Sequence, residues 1–536
     1  MQVKGGILAH PVEFRVVHEA AGPPKGECRS AQREPPPVTA PLYDLLVIGG
    51  GINGTGIARD AAGRGLSVLL AEQHDLASAT SSESTKLIHG GLRYLEHYQF
   101  RLVREALAER EVLLGIAPHI VKPLRFVMPL VDDKRPAWMI RAGLFLYDHM
   151  GGKTTLPKSE SVALAGTSWS AGLKDIERAF IYSDAWADDA RLVVLNAISA
   201  AEKGATIRTR TGFRGATRHL NHWIATLDDG STVSAKAIVN TAGPWVSSIL
   251  GKLTGADEEP PARLVKGSHL IVPRLYEGEH AYVLQNEDKR IIFAIPYERD
   301  FTVIGTTDRP FEGDPSAPTI DRDEIEYLCA SINRYFAKPI GEKDVVASYS
   351  GVRALFDDKH EDPSAVTRDY VLKLSAGGGP PVLSAFGGKI TTYRRLAEHA
   401  LEKLAPYLPR MGRSWTGDAP LPGGDLPDGD FEAFLSIVHN RWRFLTPDNA
   451  RRMARAYGTR IAMILDDATE LDDVTGGLST REIDYLVAEE WARTVEDILW
   501  RRTKIGIHAG PEECSKVQAY LTRIRGPAAG VEPGSR

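Results

Sequence analysis

The stretch from Tyr43 to Glu72 constrains the fold more than any other part of this 536-residue chain. It reads YDLLVIGGGINGTGIARDAAGRGLSVLLAE, and its glycines have the spacing G-x-G-x-x-G. Leu45 to Ile48 is a short apolar run, typical of a buried parallel strand. Small residues follow between Asn53 and Gly63, and a second apolar run, Ser67 to Ala71, precedes Glu72. The pattern predicts a strand–helix–strand unit that binds a dinucleotide.

Each residue of this motif has a physical role in that prediction. Gly49 makes the tight turn after the strand, Gly51 lets backbone amides approach a pyrophosphate, and Gly54 lets the helix pack closely. Asn53 stands at the helix N-terminus, where unpaired amides and a partial positive charge favour phosphate. Glu72 stands where a carboxylate accepts a hydrogen bond from a ribose hydroxyl, which favours FAD or NAD over NADP.

Composition is that of an ordinary soluble globular protein. Hydrophobic residues make up 43% and charged residues 25% of the chain, and the net charge of -5 gives no reason to expect a nucleic-acid partner. The three cysteines, Cys28, Cys329 and Cys514, are far apart, so we expect a reducing compartment and no metal–thiolate site. No stretch approaches the apolar length of a transmembrane helix.

The two ends of the chain differ from the rest. Residues 1–41 begin with MQVKGGILAH, which lacks the apolar core of a signal peptide, and continue as a polar, proline-rich segment. We interpret this extension as disordered or as the product of an upstream start codon. The tail, 526–536, is also expected to be disordered.

Two later features add to the dinucleotide prediction. Thr80 to Thr85 reads TSSEST, and such hydroxyls cap a helix or bind pyrophosphate oxygens, so Ser81 and Ser82 are candidate cofactor residues. The segment AIVNTAG predicts a buried strand that ends at Thr241 and Gly243. This second strand-to-glycine turn is expected at the carboxyl edge of the same sheet.

Two other segments each allow more than one interpretation. Lys134 to Met150, KRPAWMIRAGLFLYDHM, mixes cations with large apolar residues, so it forms either a membrane-surface helix or a core helix, and we favour the core helix. Asp184, Asp188 and Asp189 have no further acid or histidine at ligand spacing, so they predict a helix N-terminus rather than a metal site.

The remaining periodicity separates strands from helices. Thr206 to Thr211 and Trp223 to Leu227 alternate like antiparallel strands, and residues 262–350 contain several short strand-like runs. Such runs predict an antiparallel sheet in a separate substrate-covering domain. The turn-rich segment Pro420 to Asp430 precedes helical periodicity, which predicts a C-terminal helical domain.

Several long motifs resemble those of the FAD-dependent, respiratory (aerobic) glycerol-3-phosphate dehydrogenases. Besides the first motif they are SSESTKLIHGGLRYLEHYQFRLVREALAERE, RPAWMIRAGLFLYDH, KGSHLIVPR, LQNEDKRIIFAIPY, IGTTD, YSGVRAL and FGGKITTYRRLAEHALEKL. The similarity runs from about Tyr43 to about Leu521, and only the N-terminal extension is foreign to the pattern. The length and combination of the motifs make the resemblance specific.

The resemblance implies a mixed α/β (α+β) fold. Its parts are an FAD-binding Rossmann-like domain of the glutathione-reductase and D-amino-acid-oxidase type, an antiparallel-sheet substrate domain and a C-terminal helical domain. We therefore assign residues 42–410 to an FAD-dependent oxidoreductase region and 411–525 to the helical domain. Within the first region, FAD-binding parts are expected at about 42–110, 180–250 and 345–405, and substrate-domain parts at about 111–179 and 251–344.

The resemblance also implies an activity and partners. Members of the family oxidise sn-glycerol 3-phosphate to dihydroxyacetone phosphate and pass electrons to membrane quinone, and we expect hydride to pass from C2 to flavin N5. They are peripheral membrane proteins, so we expect this chain at the cytoplasmic face of the cell membrane, on an anionic membrane surface. A homodimer is the expected assembly, with FAD as cofactor.

A phosphorylated secondary alcohol needs cations for its dianion and a base for its hydroxyl proton. Arginine suits phosphate because its planar fork donates two parallel hydrogen bonds, and Arg93 and Arg353 stand in matching motifs. Tyr94 adds a phenolic donor. Lys389, in GGKIT, is expected to bind substrate or stabilise negative charge near the reduced flavin. His269, in KGSH, is the candidate base because histidine titrates near operating pH.

These assignments define three sets of candidate residues. The catalytic set is His269, Arg353 and Lys389, and the substrate-binding set is Arg93, Tyr94, Arg353 and Lys389. His89 is a second candidate base but is expected rather to shape the flavin pocket. The cofactor-binding set is Gly49, Gly51, Asn53, Gly54, Glu72, Ser81, Ser82, His89, Gly90, Thr241, Gly243, Gly387 and Gly388.

Four alternatives remain open at the level of sequence. An oxidase of the same substrate would use oxygen in place of quinone. An amine or amino-acid oxidase would share the fold but need a carboxylate clamp, whereas two arginines and a lysine favour a dianion. A flavin redox sensor would lack turnover. An NAD-dependent dehydrogenase would satisfy the first motif, but the later turns at Thr241 and Gly387 fit one extended FAD better.

Overall fold

The computed structural model describes residues 41–131, 136–254, 262–288, 290–356 and 369–525. The predictions for residues 1–40, for the tail and for the cations Lys134 and Arg135 therefore lie outside the described residues.

Strands and helices alternate through the first part of the chain. Up to residue 208 they are β1 (Leu42–Ile48), α1 (Ile52–Gly63), β2 (Val68–Ala71), β3 (Leu87–Ile88), α2 (Phe100–Ile116), β4 (Val121–Pro129), α3 (Ala137–Met150), β5 (Glu160–Ala163), β6 (Arg178–Ala187), α4 (Asp189–Glu202) and β7 (Thr206–Arg208). Up to residue 310 they are β8 (Phe213–Arg218), β9 (Trp223–Leu227), β10 (Thr232–Asn240), α5 (Val246–Leu250), β11 (Leu253–Thr254), β12 (Ala262–Pro273), β13 (Ala281–Gln285), β14 (Ile291–Tyr297), β15 (Phe301–Gly305) and β16 (Arg309–Pro310). The rest are α6 (Arg322–Tyr335), β17 (Ala347–Phe356), β18 (Val371–Ser375), β19 (Val382–Phe386), α7 (Tyr393–Leu404), α8 (Phe431–Arg441), α9 (Pro447–Tyr457), α10 (Ile461–Leu465), β20 (Asp473–Thr475), β21 (Leu478–Ser479), α11 (Thr480–Glu489) and α12 (Pro511–Arg525).

The first sheet is built around β1. This strand pairs in parallel with β10 on one side and with β2 on the other, and β19 extends the parallel part beyond β10. Helix α1 crosses back over β1 and packs against α4 and α7. The four apolar residues at the end of β1 are buried, as expected for a strand covered on both faces. The predicted strand–helix–strand unit is confirmed.

One strand prediction within this sheet is wrong in its direction. The strand that begins at Thr206 is β7, which pairs in parallel with β2 at the sheet edge. The strand from Trp223 is β9, which pairs antiparallel with β8 and β10 as predicted. Alternation shows that one face of a strand is buried, but it does not show the direction of the neighbouring strand.

The second sheet is mostly antiparallel and follows the order β16-β12-β15-β14-β13-β4-β6-β3, with β17 beside β12 and β5 beside β6. Helix α6 packs on it against β12, β13 and β14. The C-terminal helices α8 to α12 enclose a hydrophobic core of their own. The predicted fold class, with an antiparallel substrate sheet and a C-terminal helical domain, is confirmed.

Helix α3 is not the core helix that its apolar spacing favours. Of its fourteen residues only Leu144 and Tyr147 are buried, whereas the side chains of Trp138 and Phe145 are 71% and 58% exposed. Amphipathic spacing identifies an apolar face but not what covers it. Across the described ranges, no helix is both long and apolar enough to cross a membrane.

Candidate active site

A continuous cavity of about 870 Å³ is lined by residues of both large sheets. The glycine turn after β1 and the turns after β10 and β19 contribute to its wall, as the parallel strand ends predict. Of the predicted site residues, those lining it are Gly49, Gly51, Asn53, Glu72, Ser81, His89, Arg93, Tyr94, Thr241, Gly243, Arg353, Gly387, Gly388 and Lys389. Four others, Gly54, Ser82, Gly90 and His269, are not among the lining residues.

Backbone packing leaves no room for side chains at the first turn. A Cβ on Gly49, whose φ is +108°, would lie 2.6 Å from the carbonyl oxygen of Thr241. A Cβ on Gly54 would lie 1.9 Å from the carbonyl oxygen of Gly49. The Thr241 hydroxyl donates to the Ile48 carbonyl at 2.8 Å and so joins the two strand ends. The glycine spacing is therefore a requirement of close α1–β1–β10 packing.

Glu72 is held by the turn that it faces. Its two carboxylate oxygens accept the backbone N–H groups of Gly50 at 2.6 Å and His74 at 2.7 Å. Burial raises the pKa of this carboxyl group, and these two hydrogen bonds oppose that shift. A carboxylate has about four acceptor positions, so acceptor capacity remains for a ribose hydroxyl.

Ser81 lies in the predicted hydroxyl cluster, but the cluster does not begin a helix. Residues 75–84 form turns that lead into β3. The Ser81 hydroxyl instead accepts the N–H of Ile52 at 3.0 Å and so satisfies an amide at the start of α1. Ser82 donates its hydroxyl to the Ala79 carbonyl.

Asn53 joins the first turn to the late glycine pair. Its amide nitrogen donates to the carbonyl oxygen of Gly387 at 3.1 Å, and the φ angles of Gly387 and Gly388 are +72° and +97°. Asn53 lines the cavity, and its side-chain oxygen is buried and has no hydrogen-bond partner among the described residues. A buried acceptor without a partner fits a ligand that supplies a donor. These residues therefore fit FAD.

The four predicted substrate residues, Arg93, Tyr94, Arg353 and Lys389, line the same cavity. The ammonium of Lys389 lies 4.0 Å from the centroid of the Tyr94 ring. Arg93 has a buried Nε with no hydrogen-bond partner among the described residues. A guanidinium nitrogen of Arg353 lies 3.5 Å from a carboxylate oxygen of Asp308. The unpaired Nε of Arg93 and the cations Arg353 and Lys389 in one cavity lining fit a small anionic substrate.

His269 does not line the cavity, because the side chain of Thr85 lies between the two. It is 2% exposed, and its Nε2 lies 2.9 Å from the hydroxyl of Thr85, which does line the cavity. Its ring stacks on Tyr349 with 4.6 Å between centroids. Burial lowers the pKa of His269 to about 3, and the charges of Lys86 and Arg353 add to this effect. The imidazole is therefore neutral at operating pH.

His89 lines the cavity directly, and its neighbour Gly90 supports the wall from behind. Burial lowers the pKa of His89 to about 4, with a further contribution from the charge of Lys389. The Gly90 N–H donates to the phenolic oxygen of Tyr147 at 2.8 Å, and Tyr147 in turn donates to Asp184. Asp184 thus lies in strand β6 within this buried network rather than at a helix start.

Several polar residues of the lining were not among the predicted site residues. Thr85 belonged to the hydroxyl cluster that was interpreted as a helix cap or a pyrophosphate contact, and Asp308 ended the motif IGTTD without a signal of its own. Glu83 and Arg290 also line the cavity. Burial raises the pKa of Glu83. Only the folded chain brings these groups to the same surface.

The buried histidines predict loss of stability in mild acid. Burial lowers the pKa values of His89 and His280 to about 4 and those of His119 and His269 to about 3. The folded state thus binds fewer protons than the unfolded state below about pH 6.5. The contribution of these histidines to the free energy of unfolding is therefore complete above that pH and falls as pH decreases toward 4. Each histidine lowers the free energy of unfolding by about 1.4 kcal/mol per pH unit over this range.

Urea unfolding at about pH 7 and about pH 5 measures this loss. The variant His280→Phe keeps an aromatic ring but removes one titrating group. It should lose less stability between the two pH values than the wild type. An equal loss in both proteins would contradict the assignment.

The fold and the cavity define a class of protein, namely FAD-dependent oxidoreductases. The sequence model of the family described as FAD dependent oxidoreductase matches residues 44–394. Residues 414–524 match the C-terminal domain of alpha-glycerophosphate oxidase.

Curated relatives identify the branch of this class. Glycerol-3-phosphate dehydrogenase of Pseudomonas aeruginosa is 55% identical over 90% of this chain and 95% of its own length. D-erythritol 1-phosphate dehydrogenase of Brucella abortus is 51% identical over 87% and 95%. Aerobic glycerol-3-phosphate dehydrogenase of Escherichia coli K12 is 49% identical over 89% and 97%.

A solved structure agrees with these relatives. Glycerol-3-phosphate dehydrogenase from Bacillus halodurans complexed with FAD has a TM-score of 0.67 and 26% identity, covering 92% of this chain and 97% of that one. The chain belongs to the FAD-dependent glycerol-3-phosphate dehydrogenase family, and its cofactor is FAD.

Proposed function

We propose that this protein oxidises sn-glycerol 3-phosphate to dihydroxyacetone phosphate and passes the electrons to a membrane quinone. The observation that carries the proposal is that Arg93, Arg353, Lys389 and Tyr94 line one cavity with the turns that fit FAD. Three cations and a phenol suit a phosphate dianion better than the single carboxylate of an amino acid. The names of the Pseudomonas and Escherichia relatives agree with this substrate.

The chain's own residues bind and orient the substrate. Arg93 and Arg353 hold the phosphate through charge-assisted hydrogen bonds, and Tyr94 adds a hydroxyl donor. Lys389, whose ammonium lies over the Tyr94 ring, adds positive charge to the same cavity lining. Fixing the phosphate orients C2 and lowers the entropic part of the barrier. When bound, FAD supplies the hydride acceptor at flavin N5.

The C2 hydroxyl proton needs an acceptor, for which we propose His269 acting through Thr85. The Thr85 hydroxyl lines the cavity and lies 2.9 Å from His269 Nε2, so it can accept the substrate proton and donate its own. Because the imidazole is neutral, its Nε2 can accept the proton that Thr85 donates. Burial is the main cause of the low pKa of His269 and the charge of Lys86 the next, so a bound phosphate dianion that balances the charge of Arg353 would relieve only the smallest of the three.

Anaerobic bleaching of the yellow protein tests the substrate. We expect sn-glycerol 3-phosphate to bleach the flavin absorbance, and a quinone analogue to restore it faster than air does. Rapid reoxidation by air would instead indicate an oxidase. No bleaching of a flavin-replete sample would reject the substrate, and bleaching without turnover would indicate a redox sensor.

A second candidate substrate is D-erythritol 1-phosphate, because the Brucella relative named for it is as similar as the glycerol-3-phosphate dehydrogenases. Both compounds carry the phosphate that the cations would bind. The same bleaching experiment should include it at equal concentration. If turnover with D-erythritol 1-phosphate had the higher kcat/KM, this compound would replace glycerol 3-phosphate as the proposed substrate.

We propose that α3 attaches the protein to the cytoplasmic face of the cell membrane. Trp138, Met139, Phe145 and Leu146 are exposed on this helix, and Tyr98 is 81% exposed on the adjoining segment. Aromatic and aliphatic side chains of this kind insert into the headgroup region of a bilayer. Membrane attachment would bring the cavity close to a quinone. The homodimer stays a prediction.

The double variant Trp138→Ser/Phe145→Ser should bind vesicles of phosphatidylethanolamine and phosphatidylglycerol about 10-fold more weakly than the wild type, because two large apolar side chains no longer leave water. Sedimentation with vesicles measures this. Leu220→Ser is the control, since Leu220 is 92% exposed in the turn between β8 and β9. Unchanged binding of the double variant, or equal weakening in the control, would reject α3 as the membrane contact.

A further inference from the structure

The C-terminal helical region makes a buried ionic contact with the loop that follows Glu72. Asp75 in this loop is 2% exposed. Its carboxylate accepts hydrogen bonds from Arg501 Nε at 2.8 Å and from the two terminal nitrogens of Arg502 at 2.8 and 2.9 Å. Two consecutive arginines, more than 420 residues away in sequence, therefore converge on one carboxylate.

The arginines lie in an unusual local structure. Residues Asp497–Arg502 form a single π-helical turn, a rare conformation that often occurs at functional sites. Arg502 also donates to the Glu490 carbonyl at 2.7 Å, and Arg501 donates to Glu496 at 2.6 Å. Both guanidinium groups are thus held by the C-terminal region itself and offered to Asp75.

On the other side, Asp75 is adjacent to residues that touch the glycine turn. The N–H of Ala77 donates to the Gly50 carbonyl at 3.2 Å, and a Cβ on Gly50 would lie 3.0 Å from the Leu76 side chain. The Gly50 N–H in turn holds the Glu72 carboxylate at 2.6 Å. A short chain of contacts therefore runs from the π-helical turn through Asp75 to the turn and the acid that fit FAD.

A second contact fixes the same loop. Arg210 donates its backbone N–H to the His74 carbonyl at 2.8 Å and its side chain to Asp497 at 2.5 Å. Asp497 also accepts from Arg501. The loop is thus held at two neighbouring residues by one charge network.

We infer that the ion-paired cluster of Asp75, Arg501 and Arg502 positions the FAD-binding loop, so that the C-terminal helical region is part of the cofactor site. The inference rests on FAD as cofactor and is independent of the proposed substrate and acceptor. Asp75 and the arginines are positioning residues, because they act through Ala77 and Gly50.

The test is the FAD affinity of Asp75→Asn, which keeps the side-chain volume but removes the charge. In this variant Arg501 keeps Glu496 and Arg502 keeps the Glu490 carbonyl, so neither cation is left without a partner. Titration of the apoprotein with FAD, followed by flavin fluorescence, should give a Kd at least about 10-fold above that of the wild type. A Kd within about twofold of the wild type would overturn the inference.

Glu202→Gln is the control for loss of an ionic contact between α4 and the C-terminal region. Glu202 on α4 pairs with Arg460 at 2.5 Å, which is another ionic contact of the C-terminal region but lies away from the loop. Its Kd for FAD should stay unchanged. Equal weakening in this control would mean a general loosening between the parts of the chain and would also overturn the inference.

Thermal unfolding separates positioning from plain destabilisation. At a fixed FAD concentration, the rise in Tm caused by FAD depends on Kd. This rise should shrink in Asp75→Asn and stay at the wild-type value in Glu202→Gln, whatever the Tm of each apoprotein. If Asp75→Asn does not fold, Arg501→Gln gives the same comparison, and an undiminished rise in that variant would overturn the inference.

Discussion

Replacing Arg353 by alanine should raise the KM for sn-glycerol 3-phosphate about 100-fold, because charge-assisted hydrogen bonds to a phosphate contribute about 1.5 to 3 kcal/mol each. The Arg353 side chain lines the cavity and has Asp308 at 3.5 Å as its ionic neighbour. Without the guanidinium, Asp308 would also repel the dianion. Steady-state kinetics with a soluble quinone analogue measures the effect.

Two comparisons sharpen this prediction. Arg353→Lys keeps the charge but loses the planar fork, so its KM should fall between those of the wild type and the alanine variant. Arg309→Ala removes an arginine that pairs with Asp321 outside the cavity lining, so its KM should not change. If Arg353→Ala affected free glycerol and glycerol 3-phosphate equally, Arg353 would not bind the phosphate.

Replacing Gly54 by alanine should abolish FAD binding and destabilise the fold by several kcal/mol. The added Cβ would lie 1.9 Å from the Gly49 carbonyl oxygen and 2.7 Å from the Thr241 hydroxyl, and the first of these atoms is backbone. Relief requires α1 to move away from β1. The flavin content of the purified protein and its urea unfolding midpoint measure the two effects.

Gly115→Ala is the control for this substitution. Gly115 is an exposed residue in α2, and a Cβ there would meet nothing within 4 Å. Alanine should therefore stabilise the protein by about 0.5–1 kcal/mol and leave its flavin content unchanged. If the Gly54→Ala protein purified with a full complement of flavin, α1 would be able to move away from β1 more easily than the structure indicates.

The cofactor turns were largely predictable because their signal is local. Gly54 must be glycine because a Cβ there would collide with the carbonyl oxygen of Gly49 in the same turn, and the flanking apolar runs define the strands on either side. The late glycines were found differently, from the resemblance of their motif. Their contact with Asn53 spans 334 residues, and no local pattern specifies such a contact.

The parts that sequence did not reveal depend on what surrounds a residue. The Ser81 hydroxyl caps α1 rather than a helix of its own, because the loop folds back over the first turn. His269 lies behind Thr85, a separation that arises only when β12 packs beside residues 80–85. The outer face of α3 has the periodicity of a core helix, and the spacing of its apolar residues is the same in either environment.

The hydrogen bond between Asn53 and Gly387 determines how late in synthesis the FAD pocket can form. At about 5–20 residues per second, roughly 20 to 70 seconds pass between synthesis of the two residues. During that interval the nascent chain carries the glycine turn without the opposite wall of its pocket. We therefore expect tight flavin binding only after Gly387 has been synthesised, and a chain truncated before this residue should purify without flavin.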